Sequence, residues 1–217
     1  MPVGPGRLNL SAGDSGVGSW TAEGRVTDEQ EAASDETLCR RIAARDDAAF
    51  DLLVARYQGR AYRLAWSLLR NAEDARDVSQ DAFIRVWEAA GRFRGDARFS
   101  TWFYRILVNR CLDHKRRGRW WTRLVARDDD PDAHASVVER QPAPGPDAGD
   151  QVSEAQTMAR LWDAVQRLSP QQRAAVILHA QEQLSVAEIA DVLRVAEPTV
   201  RVHLHRAVAA LRKDLVP

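Results

Sequence analysis

The 217-residue chain has only two cysteines, Cys39 and Cys111, and they stand far apart in the sequence. So few thiols argue against a disulfide framework and suit a reducing cytoplasm, where both side chains would act as small buried hydrophobes. No apolar run approaches the ~18 residues that span a bilayer, so membrane insertion is not expected. No continuous apolar stretch follows Arg7 and Leu8, and we therefore predict no secretory signal.

The sequence also lacks the motifs of common enzymes. It has no recognisable Ser/His/Asp set, no phosphate-binding loop and no metal-ligand cluster, so we expect a non-catalytic protein without a cofactor or a metal ion. His203 and His205 are two residues apart and would point to different sides of a helix. No stretch alternates with period two for long enough to make a strand, which predicts an all-α fold.

The net charge of zero conceals a strong segregation of charge. Residues 98–127 hold nine Lys and Arg against one acid, Asp113, whereas residues 128–154 hold eight acids against one base, Arg140. A basic stretch followed at once by an acidic one indicates a surface for a polyanion and a separate solvated linker. A solvated helix face would explain the basic run alone equally well.

Composition divides the chain into four parts. Residues 1–34 contain six of the twelve glycines and predict a flexible extension, and residues 35–118 predict a helical domain. Residues 119–152 carry four prolines among acids and small residues and predict a linker, which leaves residues 153–217 as a second helical domain.

Helical periodicity and capping residues place the helices. One face of a long helix is predicted from Phe50, Leu53, Val54, Tyr57, Ala61, Leu64, Ala65 and Leu68. Asn71 is the predicted N-cap of the next helix, whose apolar stripe is Val78, Ala82, Val86 and Ala90 and whose end is predicted at Gly91. A further helix is predicted from about Ser100 to near Gly118. Three later starts are predicted at Ser153 with Gln156, at Ser169 with Pro170 and Gln172, and at Ser185 with Glu188, the first and last as capping boxes.

Residues 184–212 have the pattern of a helix-turn-helix. The helix after Ser185 places Ile189, Ala190 and Leu193 inward, and a second helix from near Pro198 places Val200, Leu204, Ala207 and Leu211 inward. Arg201, His205 and Arg206 would then project toward base edges and phosphates, and the helix start around Thr199 offers backbone N–H groups to a phosphate. An ordinary helical hairpin with a basic face is the alternative.

Residues 93–117 interleave aromatic and basic side chains in a way that suits unstacked single-stranded DNA. Bases stack on aromatic side chains, and positively charged side chains bind the phosphate backbone of the DNA. Phe99 and Phe103 are expected in the core, whereas the spacing of Trp102, Arg105 and Asn109 allows a shared exposed stripe. On the preceding helix Asp77, Gln80 and Asp81 form an acidic polar face, which would repel DNA and suit a basic protein partner.

These segments together resemble a known family. The runs DVSQDAFIRVW, FRGDARFSTWFYRILVNRCLDHKRR, LSPQQR, LSVAEIADVL and TVRVHLHRA are similar, in order and spacing, to the extracytoplasmic-function (ECF) sigma factors of RNA polymerase. The resemblance implies that residues 35–118 are sigma region 2 and residues 153–217 are region 4. The function it implies is binding to core polymerase, promoter recognition, promoter melting and transcription initiation.

The resemblance also assigns roles to residues. Asp77, Gln80 and Asp81 would dock on the clamp helices of the largest polymerase subunit, with the polymerase flap as a further contact. The minus-ten element would be bound by Arg98, Trp102, Arg105, Asn109, Lys115 and Arg116, with a flipped base captured near Gly95 and Asp96. The minus-thirty-five element would be read by Thr199, Arg201, His205 and Arg206. The linker would run toward the RNA exit path, and an anti-sigma protein is an expected partner.

Four positions depart from the family pattern. Arg194 stands where the turn of the helix-turn-helix usually has glycine, Pro198 and Ala196 replace a usual glycine and proline, and Val202 replaces a small hydroxyl residue. A non-glycine residue at positive φ costs about 1 kcal/mol. These changes bear on promoter preference. The remaining alternatives are a stand-alone duplex-DNA regulator, which leaves the acidic face unexplained, and a helical protein-interaction domain.

Overall fold

The computed structural model describes residues 33–125 and 150–215, and every regular element in these two ranges is helical, as predicted. Side chains are described for residues 33–117 and 156–215. The predicted N-terminal extension, apart from residues 33 and 34, and most of the predicted linker lie outside the described residues.

Eight helices are present within these ranges, four in each. The N-terminal module comprises α1 (Asp35–Ala43), α2 (Asp47–Leu69), α3 (Ala72–Ala89) and α4 (Phe99–Val125), with a short 3₁₀ turn (Ala90–Arg92) after α3. The C-terminal module comprises α5 (Asp150–Arg167), α6 (Pro170–Gln181), α7 (Val186–Leu193) and α8 (Glu197–Leu215).

The predicted apolar faces form the core. On α2 all eight predicted residues are buried except Phe50, which is half-buried and packs edge-on against Trp87 with ring centroids 5.2 Å apart. The α3 stripe is buried as well. Cys39 and Cys111 are buried free thiols whose pKa values are raised by burial to about 11 and about 12, so both predictions of inert cysteines are consistent with the structure.

Helix starts follow the capping signals in three of four cases. The Asn71 side chain accepts a hydrogen bond from the Asp74 N–H at 3.0 Å, and Ser185 forms the predicted capping box with Glu188. Ser169 also forms a full box with Gln172. The start predicted at Ser153 is wrong, because α5 already begins at Asp150. No glycine or proline stands between Asp150 and Ser153, so nothing in the sequence prevents the helix from starting earlier.

Two predicted helix ends also differ from the structure. The basic helix α4 runs through Gly118 to Val125, since one glycine in a helix costs only about 1 kcal/mol and no proline follows it before Val125. Helix α3 ends at Ala89, and Gly91 lies inside the 3₁₀ turn instead of serving as a left-handed cap. Among the described glycines only Gly95 takes a positive φ, 77°, in the loop before α4.

The two modules share one continuous hydrophobic cluster and pack directly on each other. Helix α7 lies against α4, and α6 lies against α2. Trp162 of α5 packs edge-on against Trp66 of α2 with ring centroids 5.8 Å apart. The guanidinium of Arg70 lies 3.7 Å from the Trp66 ring and 4.9 Å from the Trp162 ring. Aromatic and cation–π contacts therefore join the modules at the C-terminal end of α2.

Hydrogen bonds reinforce this contact. The Gln181 side-chain amide donates to Ser67 Oγ at 2.9 Å, and Gln166 donates to the Ser67 carbonyl at 3.3 Å. The Tyr104 hydroxyl donates to the Glu182 carboxylate. Burial and this bond hold the pKa of Tyr104 well above its usual range, so the phenol keeps its proton. The side chains of Ser67 and Tyr104 are thus hydrogen-bonded across the contact, whereas one guanidinium nitrogen of Arg70 is buried there without a hydrogen-bond partner.

Candidate nucleic-acid interface

The loop before α4 and the first turns of α4 surround a cavity of about 410 Å³. Its size lies in the range of about 300–1,000 Å³ that is usual for ligand pockets. The lining carries three guanidinium groups, two aromatic side chains and two carboxylates, in the set Arg92, Phe93, Arg94, Gly95, Asp96, Ala97, Thr101, Trp102, Arg105 and Asp191. A concave site with positive groups and an aromatic wall can hold a base and its phosphate.

Aromatic packing fixes the wall of this cavity. Phe99 and Phe103 are fully buried, as expected, and Trp102 packs against Phe93 and Phe99 with centroid distances of 5.4 and 5.8 Å. The Glu36 carboxylate accepts the Phe99 N–H at 3.1 Å, which satisfies a free donor at the start of α4 and lowers the pKa of Glu36. Packing among these aromatic side chains therefore fixes the position of the Trp102 ring in the cavity wall.

The stripe on α4 that is predicted to be exposed is half-buried in the structure. Trp102, Arg105 and Asn109 are all half-buried, Trp102 because the aromatic cluster holds its ring. Trp102 and Arg105 nevertheless both line the cavity, whereas Asn109 does not. The spacing argument identified the right helix face but not the neighbours that cover it.

The other predicted minus-ten residues lie at the two ends of the basic surface. The side chain of Arg98 is 81% exposed, and its guanidinium lies 3.9 Å from the Glu188 carboxylate of α7. Lys115 is half-buried and donates to Gln166 of α5 at 3.4 Å, while Arg116 is exposed and 3.9 Å from Asp113. The structure thus brings Trp102 and Arg105 to the cavity, leaves Arg98 outside its lining, next to the lining residue Ala97, and places Lys115 and Arg116 further along α4.

Sequence reasoning omitted three charged residues of the cavity from its binding set. Arg92 and Arg94 flank Phe93 in the same basic and aromatic run, so the pattern itself could have indicated them. Asp191 reaches the cavity from α7, more than eighty positions away in the sequence, only because the modules pack together. No local signal could have identified it.

The acidic face of α3 is a mixed surface in the structure. Asp77 is exposed and Gln80 and Asp81 are half-buried on the same side of the helix, as predicted. The Asp81 carboxylate pairs with the Arg110 guanidinium of α4. A second cavity, of about 220 Å³, lies between α3 and α4 and is lined by Asp77, Val78, Asp81, Arg110, Asp113, His114 and Arg117. A protein docking here would meet both signs of charge.

The helix-turn-helix has the predicted architecture, formed by α7 and α8. Ile189, Ala190 and Leu193 are buried on α7, and Val200 and Ala207 are buried on α8, while Leu204 and Leu211 are half-buried. The predicted contact residues Thr199, Arg201, His205 and Arg206 are all exposed. The Arg201 guanidinium donates to Glu197 one turn earlier, at 2.8 Å. The outer face of α8 is therefore open to a duplex.

Arg194 ends α7 in the left-handed conformation, with φ 55° and ψ 48°. We expect Arg194→Gly to raise the free energy of unfolding by about 0.5–1 kcal/mol, because glycine adopts this conformation without the Cβ penalty. Arg160→Gly is the matched control, since it removes an exposed arginine from the interior of α5 and should lower stability by about 1 kcal/mol. Urea unfolding followed by circular dichroism measures both, and equal changes in the two variants would contradict the prediction.

Two family models match the chain. Sigma-70 region 2 matches residues 53–122, and Sigma-70 region 4 matches residues 158–211. The RNA polymerase sigma-H factor of Pseudomonas aeruginosa is 35% identical over 191 residues, covering 84% of this chain and 94% of that protein. The ECF RNA polymerase sigma factor SigM of Mycobacterium tuberculosis is 37% identical over 182 residues, covering 84% and 85%.

Solved structures show the same fold. CnrH, in a complex with the cytosolic domain of CnrY, matches with a TM-score of 0.59 and 24% identity, over 83% of this chain and 96% of that one. RpoE of Bartonella quintana, in a complex with the anti-sigma factor NepR, also has a TM-score of 0.59 and 24% identity, over 76% and 96%.

Two Sigma-70 region models in the expected order, with relatives that align along most of their length, define the class of protein. The chain belongs to the ECF sigma factors of RNA polymerase. It accordingly binds core RNA polymerase and directs promoter recognition and transcription initiation, as the resemblance predicted. In the part of the chain that the structure describes, no helix is both long and apolar enough to cross a membrane, and no group of three or more His, Cys, Asp and Glu side chains is arranged for a metal ion.

Proposed function

We propose that the cavity at the start of α4 captures a base of the melted minus-ten element. The observation that carries this proposal is the convergence of Arg92, Arg94 and Arg105 with the Trp102 ring around one concave site. Base–aromatic stacking contributes about 1–3 kcal/mol per base, which can offset the few kcal/mol that unstacking costs. Arg98, Asn109, Lys115 and Arg116 would then contact the backbone on either side of the captured base.

The duplex minus-thirty-five element would lie against α8, with Thr199 near a phosphate and Arg201, His205 and Arg206 toward the major groove. Their exposure on one helix with an apolar inner face supports this role. Val202 is 45% exposed and cannot donate a hydrogen bond, so an apolar contact replaces a polar one at this position.

On this proposal region 2 occupies residues 35–118 and region 4 residues 153–217, joined by residues 119–152 and preceded by residues 1–34. The family-model matches at 53–122 and 158–211 support the division. The chain would act in the cytoplasm as a specificity subunit without catalytic activity of its own. The free energy for melting promoter DNA would come only from binding.

An anti-sigma protein is a further proposed partner. A fold neighbour from Bartonella quintana is bound to the anti-sigma factor NepR, which supports the idea that this fold accepts such a partner. The polymerase flap would contact region 4. The largest-subunit clamp helices would contact the α3 face, where Asp77 is exposed and Asp81 is held by Arg110.

Replacing Gln80 and Asp81 with alanine is expected to weaken binding to core polymerase, because the change removes a carboxylate and an amide from the proposed docking face. Fluorescence anisotropy with labelled chain and unlabelled core measures the affinity. Glu88→Ala is the matched control, since Glu88 is exposed on the same helix and pairs only locally with Arg85 in the described contacts. Equal affinity of the double variant and the control, with both fully helical, would count against the docking role.

A further inference from the structure

Helix α8 carries a large apolar side chain in the middle of its exposed face. Val202 is 45% exposed, although valine usually lies in the core of a protein. On the helix surface its neighbours are Thr199, one turn before it, and His205 and Arg206, one turn after it. All three neighbours are exposed. Val202 is therefore surrounded by the residues that are proposed to contact the duplex, and DNA bound there would cover it.

The register of the helix directs Val202 away from the protein core. An α-helix turns by about 100° per residue, because it has about 3.6 residues per turn. Val200 and Ala207 are fully buried and mark the inner side of α8. Val202 comes two residues after Val200 and five before Ala207, which places it about 140–160° from both around the helix axis. Its side chain thus projects almost directly outward.

Polar side chains stand on both sides of this valine. Counted in the same way, Arg201 and His205 lie about 60–100° to one side of it. Thr199 and Arg206 lie about 40–60° to the other side. When a helix lies in a major groove, the centre of its outer face meets the base edges, and its flanks lie closer to the two phosphate backbones. Val202 is therefore placed against a base edge, between polar side chains that face outward on either side.

The chemistry of valine selects what it can contact in the groove. Valine has no hydrogen-bond donor or acceptor, so a base edge that presents only polar atoms would lose its water against Val202 without gaining a bond. The apolar group that base pairs present in the major groove is the C5 methyl of thymine. Contact between this methyl and the valine side chain removes apolar surface of both from water, which is favourable.

We propose that Val202 makes this chain select thymine at one base pair of the minus-thirty-five element, through contact with the thymine methyl group. The inference rests on the proposed function of α8, and it adds the chemical group that one residue of this helix recognises. The preference is distinct from that of an arginine, which pairs with the polar edge of guanine.

Replacing thymidine with deoxyuridine removes the methyl group and keeps the same base pair. The probe is a duplex promoter fragment that the holoenzyme, assembled from core polymerase and this chain, selects from a library with a randomised minus-thirty-five element. Each thymidine of the element is replaced in turn, on both strands, and a competition assay measures the affinity of the holoenzyme. We expect one replacement to weaken binding by about three- to fourfold, as for the loss of one buried methyl group. With the Val202→Ser chain the same replacement should have no effect.

Val208→Ser is the matched control, because Val208 is 43% exposed on the same helix and lies outside the proposed contact set. It stands about 120° from Val202 around the helix axis, so this variant should respond to deoxyuridine as the unchanged chain does. Val202→Ile keeps an apolar side chain and should keep the response. At the same position 5-methylcytosine should bind more tightly than cytosine only when residue 202 is apolar. Circular dichroism checks that all variants are equally helical.

The outcomes separate the role of Val202 from that of α8. If no deoxyuridine weakens binding, or if the unchanged and Val202→Ser chains respond equally to each one, the assignment of Val202 to thymine is wrong. If the selected element can also be replaced by an unrelated sequence without loss of affinity, the proposed function of α8 fails as well. An element that is required but in which no methyl group matters overturns the role of Val202 alone.

Discussion

Replacing Arg173 with leucine is expected to lower the free energy of unfolding by about 3–5 kcal/mol, because buried carbonyls would lose hydrogen bonds to a charged donor, which contribute about 1.5–3 kcal/mol each. Arg173 is 7% exposed on α6. Its guanidinium donates to the carbonyls of Val165 at 3.2 Å and Leu168 at 3.2 Å, and also to that of Gln166. It reaches the Leu68 carbonyl in the other module at 3.4 Å.

The size of this effect follows from where those carbonyls lie. Helix α5 ends at Arg167 and α2 ends at Leu69, so the four carbonyls lie in the last turn of a helix or, for Leu168, directly after it. Carbonyls at these positions lack the regular helical partner, although that of Val165 also accepts the Leu168 N–H at 3.2 Å. A positive charge also suits the negative end of a helix dipole. One buried side chain therefore caps two helix ends that meet at the module contact. Leucine would remove the guanidinium donor from all four carbonyls and would leave only that of Val165 with its backbone donor.

Urea unfolding followed by circular dichroism checks the prediction, with Arg160→Leu as the control. Arg160 is exposed on α5, so its replacement should change stability by no more than about 0.5 kcal/mol. Because Arg173 also bonds to the Leu68 carbonyl across the contact, its loss should also weaken the packing of the two modules on each other. A stability equal to that of the control would show that water or relaxed backbone satisfies these carbonyls.

Local signals predicted the helices well, because helix formation depends on near neighbours. The apolar stripes of α2 and α3 and the caps at Asn71, Ser169 and Ser185 are all found where periodicity and side-chain chemistry indicated. The boundaries predicted at Ser153 and Gly118 were wrong, because the neighbouring residues are compatible with a helix and the helix extends past each of these positions. Boundary signals are preferences of about 1 kcal/mol, and a longer helix can outweigh them.

The candidate site was predictable only in part, since it is built from both modules. Trp102 and Arg105 were identified from their spacing on one helix, and both line the cavity. The burial of Trp102 and the presence of Asp191 depend on tertiary contacts that no local pattern encodes. Arg173 was assigned no role for the same reason: its four acceptors come from two different helix ends.

Replacing Arg201 or Arg206 with alanine is expected to weaken the free energy of promoter binding by about 1–3 kcal/mol each. The loss is expected only at promoters that carry the matching base in the minus-thirty-five element. Both side chains are exposed on the outer face of α8, where a bidentate contact with guanine is possible. The Glu197 carboxylate holds the Arg201 guanidinium at 2.8 Å, with the acid one turn before the base, which is the favourable order in a helix. The free chain thus already restricts the orientation of Arg201 before DNA arrives.

Run-off transcription with purified core enzyme on a library of promoter fragments measures this effect position by position. Arg212→Ala is the control, because Arg212 is exposed near the end of the same helix and outside the proposed contact set. Arg201→Lys separates charge from geometry, since lysine keeps the charge but cannot form the planar two-bond contact. If alanine at Arg201 lowers transcription equally from every fragment and lysine restores it, the side chain contacts phosphate alone. If transcription is lost from only some fragments and lysine does not restore it, Arg201 contacts a base edge. The base preference of the sigma factor at that promoter position would then depend on the Arg201 guanidinium.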